Sequence, residues 1–423
     1  MATSQPFTVR TLFRSLAFRL FIAITAGIII GLNASETVIN VVQSIRHLTA
    51  QIVFFAVPLI ILGFVAPAVA RTGKRASRLL GLSLALAYLS AIGAAAFAAV
   101  GGYLLIPGLS IPAEVEGLRA LPEMLFELNI PPILPTMSAL TLALLIGLAV
   151  TWTKAERFGA ALEELHRIVL QIVRRVIIPV LPVFIAAVFA LLAYQGRLTR
   201  QLPVFLSAIG IVIGLQLLWI GLLYIGATLF TSRNPIEVVR HYGPPYLTAL
   251  GTMSSAATLP IALRGASASK VLDRKAVDFG VPLFAHMHMP GSTIAITFLA
   301  LTVSKILYGT LPSVATIVLF VVLLGIFATA APGVPGGTLM ASLGLITTVL
   351  GFDEVGTGLM LAIFALQDSF GTATNITSDG PMLMVLSRYL SRRGTDPDEG
   401  TESDEITIDD VTAPSDEKLL VGA

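Results

Sequence analysis

Apolar runs long enough to cross a bilayer recur along almost the whole chain. About 20 helical residues, at a rise of about 1.5 Å each, are needed to cross the hydrocarbon core. Charged residues make up only 12% of the sequence, about half the share in a soluble domain. The pattern predicts an all-α polytopic membrane protein. We assign eight transmembrane helices to residues 12–32, 52–70, 79–106, 133–152, 176–194, 202–230, 281–307 and 355–390.

Lysine and arginine cluster in alternate loops, and this predicts the orientation of the chain, because cytoplasmic loops carry the excess of both residues. The clusters lie at residues 71–78, 233–240, 264–275 and 388–393. Residues 114–127, between two clusters, are mostly acidic. We therefore expect both termini to face the cytoplasm of a bacterial-type inner membrane, with the run at 12–32 retained as a helix.

The end of the chain differs in composition from the rest. Residues 391–423 hold ten of the 25 acidic residues and three of the 27 basic ones. Residues 1–390 therefore carry 24 − 15 = +9. We divide the chain into a membrane domain, residues 1–390, and an acidic, disordered cytoplasmic tail, residues 391–423.

The last apolar run carries four polar residues on one helical face. Asp368, Thr372, Asn375 and Asp379 stand at i, i+4, i+7 and i+11. Carboxylates at membrane depth are costly and normally face a protein interior or a water-filled cavity. At about 1.5 Å per residue the two aspartates lie roughly 16 Å apart. This spacing predicts two adjoining sites, each with its own carboxylate.

Two further apolar regions are interrupted by glycine, proline and serine. They are residues 245–267, with the core Ser-Ser-Ala-Ala-Thr-Leu-Pro at 254–260, and residues 314–350, with the core Ala-Pro-Gly-Val-Pro-Gly-Gly at 331–337. Their arms are too short to cross a bilayer singly, which favours re-entrant hairpins over proline-kinked helices. Each precedes a long apolar helix. Such a pair indicates inverted repeats and a transporter with a binding site near the membrane midplane.

The tips of these regions suit ligand binding. Hairpin arms aim backbone N–H groups at an anion, while unwound carbonyl groups can hold cations. Ser254 and Ser255 add hydroxyls without bulk. Gly333, Gly336 and Gly337 allow the backbone to close over a ligand and to act as a gate hinge.

With these motifs the chain resembles the dicarboxylate/amino acid:cation symporter family, which includes the glutamate and neutral amino acid transporters. Four motifs carry the resemblance in order: Ser-Ser-Ala-Ala-Thr-Leu-Pro at 254–260, His-Met-Pro-Gly-Ser at 288–292, Gly-Val-Pro-Gly at 333–336, and the polar face of residues 368–379. The second motif replaces the family's Asn-Met-Asp-Gly-Thr. The hydrophobic pattern matches from about residue 12 to 390.

The resemblance implies a homotrimer that works by an elevator-type displacement. A scaffold, mainly residues 12–70 and 133–194, would hold a mobile transport domain, mainly residues 79–106 and 202–390. The partners would be an amino acid substrate, a coupling cation and the lipid bilayer, with no nucleic acid. No cofactor is expected; sodium is the suspected coupling ion and a proton is the alternative.

The same resemblance implies roles for individual residues. Asp368 and Thr372 match positions that bind the substrate ammonium, whereas Asn375 and the Ser255 backbone match α-carboxylate ligands. Met289 lies beside one expected sodium site, and Asp379 with Asn375 forms another. The candidate substrate-binding residues are Ser254, Ser255, Ser292, Val334, Gly337, Asp368, Gly371, Thr372 and Asn375. The candidate cation-binding residues are Ser90, His286, His288, Met289, Asn375 and Asp379.

Departures from the family pattern bear on the substrate. Acidic amino acid carriers place an arginine four residues before the Asn375 position, or just before the hairpin serines; here these positions are Gly371 and Met253. A substrate side-chain carboxylate would be left unpaired, at a cost of several kcal/mol. We therefore expect a neutral amino acid, with room for its side chain at Gly371. A dicarboxylate or acidic amino acid is the alternative.

The cation motifs also depart from the family. The aspartate that helps form one sodium site is Pro290 here, and the residue two before it is His288 in place of asparagine. Ser90 remains on the third helix, but its neighbouring ligand positions are alanines. One sodium site is therefore expected to be dismantled, whereas the site at Asp379 is expected to be intact.

His286 and His288 allow three readings. They could pack and hydrogen-bond inside the protein, or His288 could exchange a proton in place of the lost sodium, since histidine titrates near neutrality. With Met287 and Met289 they could instead form a soft-metal ligand set, which would make the chain a metal-ion carrier.

An enzyme is not expected. Paired catalytic acids must both reach the same reacting atom. Asp368 and Asp379 stand eleven residues apart on one helix, so they cannot form the active site of an intramembrane protease.

Overall fold

The computed structural model describes residues 16–73, 78–109, 121–126, 128–333 and 335–393. All regular structure in these residues is helical, which confirms the predicted all-α class. The helices are α1 (Leu16–Asn33), α2 (Glu36–Gly73), α3 (Arg78–Leu105), α4 (Thr136–Thr153), α5 (Glu156–Ile172), α6 (Ile178–Tyr194), α7 (Arg197–Thr231), α8 (Pro235–Val239), α9 (Gly243–Thr252), α10 (Ser255–Ala268), α11 (Arg274–Met287), α12 (Pro290–Tyr308), α13 (Val314–Ala330), α14 (Gly337–Thr348) and α15 (Glu354–Arg393).

Each of the eight predicted apolar runs falls on one or more of these helices. Within the described residues, five segments are long and apolar enough to cross a bilayer: Glu36–Ala70, Arg78–Gly108, Glu156–Tyr194, Pro203–Thr231 and Arg274–Tyr308. The third of them joins α5 to α6 through a π-helical turn. The tail from residue 394 onward lies outside the described residues.

The two interrupted regions are each a pair of short helices joined by a tip. In the first, α9 ends at Met253 in a left-handed conformation (φ 53°), and the Ser254 side chain caps the start of α10. In the second, α13 ends before an extended Ala331, and Gly336 (φ 70°) precedes α14. A positive φ costs glycine little, which accounts for Gly336 at this turn. The helices have 10, 14, 17 and 12 residues, all fewer than the roughly 20 that cross a bilayer.

Helix α12 lies at the centre of the molecule. Every residue from Pro290 to Ser304 is buried, as expected for a helix that is apolar on all sides. It packs on α3 through the buried alanine face of that helix, and on α7 and α15. The short breaks between α11 and α12 and at the two tips therefore come together around the middle of α15.

Close helix packing elsewhere depends on small residues. A Cβ atom added at Gly27 would collide with the Ala186 carbonyl oxygen, and one at Gly31 would collide with that of Ala190. Helices α1 and α6 therefore approach backbone to backbone. Such small-residue contacts are typical of helices that associate inside a membrane.

Candidate functional site

A small cavity of about 10 Å³, room for about one water molecule, lies between the two tips, the start of α12 and the middle of α15. Four segments of the chain meet there, and each contributes two to four residues. The described lining residues are Met253, Ser255, Met289, Ser292, Pro332, Gly333, Gly337, Thr338, Asp368, Thr372 and Asn375. They include one carboxylate and no lysine, arginine or histidine. The lining is therefore suited to a positively charged group, and a ligand larger than water requires the two tips to separate.

Asp368 is the charged residue of this cavity, and it is also attached to the second tip. Its side chain is buried, and Oδ2 accepts a hydrogen bond of 2.8 Å from the backbone N–H of Gly336. Thr372 donates its hydroxyl to the main-chain carbonyl of Asp368 at 2.9 Å. The carboxylate thus holds the tip in place with one oxygen and leaves lone pairs for a ligand cation.

Asn375 organises the start of α12. Its Oδ1 accepts hydrogen bonds from the backbone N–H groups of Gly291 (2.8 Å) and Ser292 (3.3 Å), two of the N–H groups that a helix start leaves without partners. Its Nδ2 donates to Ser292 Oγ at 3.1 Å and to Met289 Sδ at 3.3 Å. In this conformation the amide supports the protein, and a substrate carboxylate would have to displace one of these contacts.

The two tips close the cavity by touching each other. Ser254 donates its hydroxyl to the Gly333 carbonyl at 3.0 Å, and the Ala256 N–H approaches the same oxygen at 3.5 Å. A Cβ atom at Gly333 would stand close to the Ala285 carbonyl oxygen of α11, at 3.1 Å, and at ordinary contact distance from the first tip. Ser254 therefore joins the tips instead of lining the cavity.

A second polar cluster surrounds Asp379. His288 Nδ1 lies 2.9 Å from Asp379 Oδ1, and His288 Nε2 lies 2.8 Å from Ser90 Oγ. All three side chains are buried, and Asp379 Oδ2 has no hydrogen-bond partner. The cluster connects α3, the break before α12 and α15. The two aspartates of α15 thus lie in separate clusters.

Besides Ser254, two predicted site residues belong to neither cluster in the structure, and a third is not described by it. His286 is exposed, and its Nδ1 lies 2.9 Å from the Pro282 carbonyl of its own helix. Gly371 is not among the lining residues of the cavity, and a Cβ atom there would face Gln216 Nε2 at 3.5 Å. Val334 lies outside the described residues.

The positions of His286 and His288 argue against a shared soft-metal site. His286 is exposed and His288 is buried, so the two imidazoles do not share one ligand set. In the described part of the chain there is no group of three or more histidine, cysteine, aspartate or glutamate side chains that could hold a metal ion.

Several site residues were missed by reasoning from the sequence. Pro332 and Thr338 line the cavity but stood in the hairpin without an assigned role. Gln216 and Gln367 form a buried amide pair at 3.1 Å beside Gly371. The available signal was one glutamine within each of these two apolar runs, which calls for a buried partner.

Known proteins resemble this chain over most of its length. The family described as the sodium:dicarboxylate symporter family matches residues 16–389. The serine/threonine transporter SstT of Bifidobacterium adolescentis is 29% identical over 384 residues, which are 85% of this chain and 87% of that protein. The human neutral amino acid transporter B(0) is 28% identical over 193 residues, which are 45% of this chain and 35% of that protein.

Mouse excitatory amino acid transporter 5 is 29% identical over 203 residues, which are 46% of this chain and 34% of that protein. The match thus spans about a third of the length of the mammalian relatives, whereas it spans most of the bacterial one. All of these proteins are transporters and none is named as an enzyme. The chain belongs to the sodium:dicarboxylate symporter family of membrane transporters.

Proposed function

We propose that this chain is a secondary active transporter that carries a neutral amino acid together with a cation. The observation that carries the proposal is the composition of the cavity, which offers one carboxylate and no basic side chain among its described lining residues. Asp368 would pair with the substrate ammonium. A side-chain carboxylate on the substrate would enter without a positive partner, which costs several kcal/mol in a buried site.

The α-carboxylate of the substrate would be held by helix starts and hydroxyls. Ser255 is the first residue of α10 and lines the cavity, so N–H groups of that helix start face the ligand. Helix N-termini attract anions through these free N–H groups and the helix dipole. Thr372 and Ser292 add hydroxyls from the opposite side, and Gly337 lets the backbone at the start of α14 approach the ligand.

The names of the relatives support an amino acid substrate. One is named for serine and threonine, one for neutral amino acids and one for excitatory amino acids. Two of these names give neutral substrates, and the third gives excitatory amino acids. The absence of a basic side chain among the described cavity residues favours the neutral class over an acidic amino acid or a dicarboxylate.

The coupling cation would act at the cluster around Asp379. His288 takes one carboxylate oxygen of Asp379, while the other has no partner and is available to a cation. Sodium at this free oxygen and Asn375, or a proton shared between His288 and Asp379, would each couple to the cavity through the start of α12. Met289 and Ser90 border the same cluster.

For the whole molecule we propose the architecture implied by the sequence. It has eight transmembrane helices, two re-entrant hairpins formed by α9–α10 and α13–α14, and inverted repeats. The transport domain would move against a trimeric scaffold in an elevator-type cycle, in a bacterial-type inner membrane with both termini in the cytoplasm. The shortness of the four hairpin helices supports the re-entrant assignment.

Uptake into proteoliposomes tests the proposal. The purified chain is given labelled alanine, serine, aspartate or succinate under a sodium gradient, a proton gradient or neither. We expect uptake of the neutral amino acids, driven by at least one gradient. Uptake of aspartate or succinate with no uptake of the neutral compounds would contradict the proposal. Comparison of the two gradients identifies the coupling cation.

A further inference from the structure

A buried pair of amides lies beside the cavity. Gln216 on α7 and Gln367 on α15 are 1% and 0% exposed. Gln216 Nε2 donates to the Gly291 carbonyl at 3.0 Å and to Gln367 Oε1 at 3.1 Å, which uses both of its N–H groups. The pair thus connects α7, the start of α12 and α15.

The hydrogen-bond network determines how the two amides are turned. The Gly291 carbonyl needs a donor, so Nε2 of Gln216 faces it, and Gln367 must then present Oε1 to Gln216. Gln216 Oε1 and Gln367 Nε2 remain without partners. A buried polar group without a partner costs about 1–3 kcal/mol. The chain therefore keeps one free acceptor and one free donor side by side in its interior.

The pair flanks the cavity on the side of Gly371. Gln367 and Gly371 each stand one residue before a cavity residue, Asp368 and Thr372 respectively. Because Gly371 has no side chain, nothing from that position covers Gln216, whose Nε2 lies 3.5 Å from where a Cβ atom would stand. The amides connect to the cavity through Gly291, whose carbonyl accepts from Gln216 and whose N–H donates to the cavity residue Asn375.

We propose that Gln216 and Gln367 form a subsite for the polar end of the substrate side chain, one that takes a hydroxyl or a carboxamide. This inference rests on the proposed function. A hydroxyl can donate to Gln216 Oε1 and accept from Gln367 Nε2, and a carboxamide can do the same. An alkyl side chain leaves both groups unpaired, and a carboxylate would face the lone pairs of Gln216 Oε1. The subsite thus selects polar neutral amino acids.

Gln367→Met tests the subsite, because methionine keeps the length of glutamine and removes the amide. Gln367 is preferred to Gln216, which also holds the Gly291 carbonyl. Unlabelled serine and alanine compete against uptake of a labelled neutral amino acid. In the unchanged protein we expect serine to compete about tenfold better than alanine, as one or two hydrogen bonds allow. In Gln367→Met this ratio should fall to about one.

Gln43→Met is the matched control, since the carboxamide oxygen of Gln43 is also buried without a partner, but on α2 and away from the cavity. It should keep the serine-to-alanine ratio. Thermal stabilisation of the purified protein by each amino acid repeats the comparison without transport, so a variant that no longer transports still reports on the subsite.

The outcomes separate the subsite from the proposed function. An unchanged serine-to-alanine ratio in Gln367→Met, by competition and by thermal stabilisation, would overturn the subsite and leave neutral amino acid transport intact. Equal competition by serine and alanine in the unchanged protein would do the same. Failure of every neutral amino acid to be transported or to stabilise the protein would overturn the proposed function itself.

Discussion

The two aspartates of α15 share a helix and a face but have different surroundings. Around Asp368 the chain supplies two non-helical tips, which leave a small cavity; the second, rich in glycine and proline, directs the Gly336 N–H at the carboxylate. Around Asp379 the chain supplies an imidazole, which lies directly against the carboxylate. One buried carboxylate is thus left open to a ligand cation, whereas the other has a partner built into the protein.

The segments packed around each aspartate, and not the carboxylate itself, determine whether its partner is a ligand or a protein side chain. A buried charge needs a partner because its desolvation is costly. Where the neighbours are short backbone tips, the partner has to be a ligand. Where the neighbour is His288, supported by Ser90, the protein itself supplies the partner, and a cation must compete with it or share the remaining oxygen.

The largest effect is expected at the open carboxylate. Asp368→Asn removes the charge that would pair with the substrate ammonium, so uptake of neutral amino acids should fall by about 100-fold or more, the equivalent of losing a partner of a buried charge. Initial uptake rates in proteoliposomes measure this. Asp278→Asn is the control, because Asp278 pairs with Arg274 on an exposed surface and should leave uptake unchanged. Normal uptake by Asp368→Asn would show that the cavity carboxylate does not bind substrate.

A smaller effect is expected at Asp379, whose carboxylate contacts His288. His288→Asn frees Asp379 Oδ1 and restores the asparagine that the family motif carries at this position. Uptake driven by a proton gradient should be lost, and the sodium concentration needed for half-maximal uptake should fall about tenfold, because two carboxylate oxygens become available to the hard cation.

His286→Asn is the matched control for that change, since it makes the same substitution two residues away on an exposed side chain. It should leave the sodium dependence as it is. If His288→Asn behaves like His286→Asn, the imidazole does not compete with the cation. The pairing of Asp379 with His288 would then have no effect on transport.

The smallest effect concerns the closure of the cavity. The chain has no cysteine, so Thr338→Cys places a single thiol in the cavity wall. Adding Ser254→Ala removes the hydrogen bond from the first tip to the Gly333 carbonyl, worth about 1 kcal/mol, and should speed labelling of that thiol about fivefold. The rate of maleimide labelling measures this.

Thr153→Ala on the same Thr338→Cys background is the control, because Thr153 is exposed on α4 and bonds only to its own helix. Equal labelling rates in the Ser254→Ala and Thr153→Ala proteins would mean that the contact between the tips does not close the cavity. The Asp379 cluster has no comparable tip, so no gate is expected there.

Much of the framework could be predicted because it depends on local patterns. The helices follow from apolar length, and the tips at 253–254 and 331–336 follow from serine, proline and glycine where a helix cannot continue. The spacing of Asp368, Thr372 and Asn375 follows from helical periodicity, and all three line the cavity. Periodicity assigns residues to a face, but it does not say what that face contacts.

The contacts that could not be predicted from the sequence join distant segments. Gly371 faces Gln216 and not the cavity, because α7 passes on that side of α15. Asn375 is engaged by Gly291 and Ser292, which are more than 80 residues away in the chain. Local sequence patterns do not predict these contacts, because they depend on how α7 and α12 pack on α15.

The sequence by itself determined the class of protein, the positions of the breaks and the four polar residues on one helical face. These features arise from the free-energy cost of exposing backbone and charge to lipid, which acts on every segment separately. Only the tertiary structure decided that Asp368 borders a cavity while Asp379 contacts His288, and that Gln216 and Gln367 meet. Those partnerships depend on which helices come within hydrogen-bond distance, and that is a property of the whole packed chain.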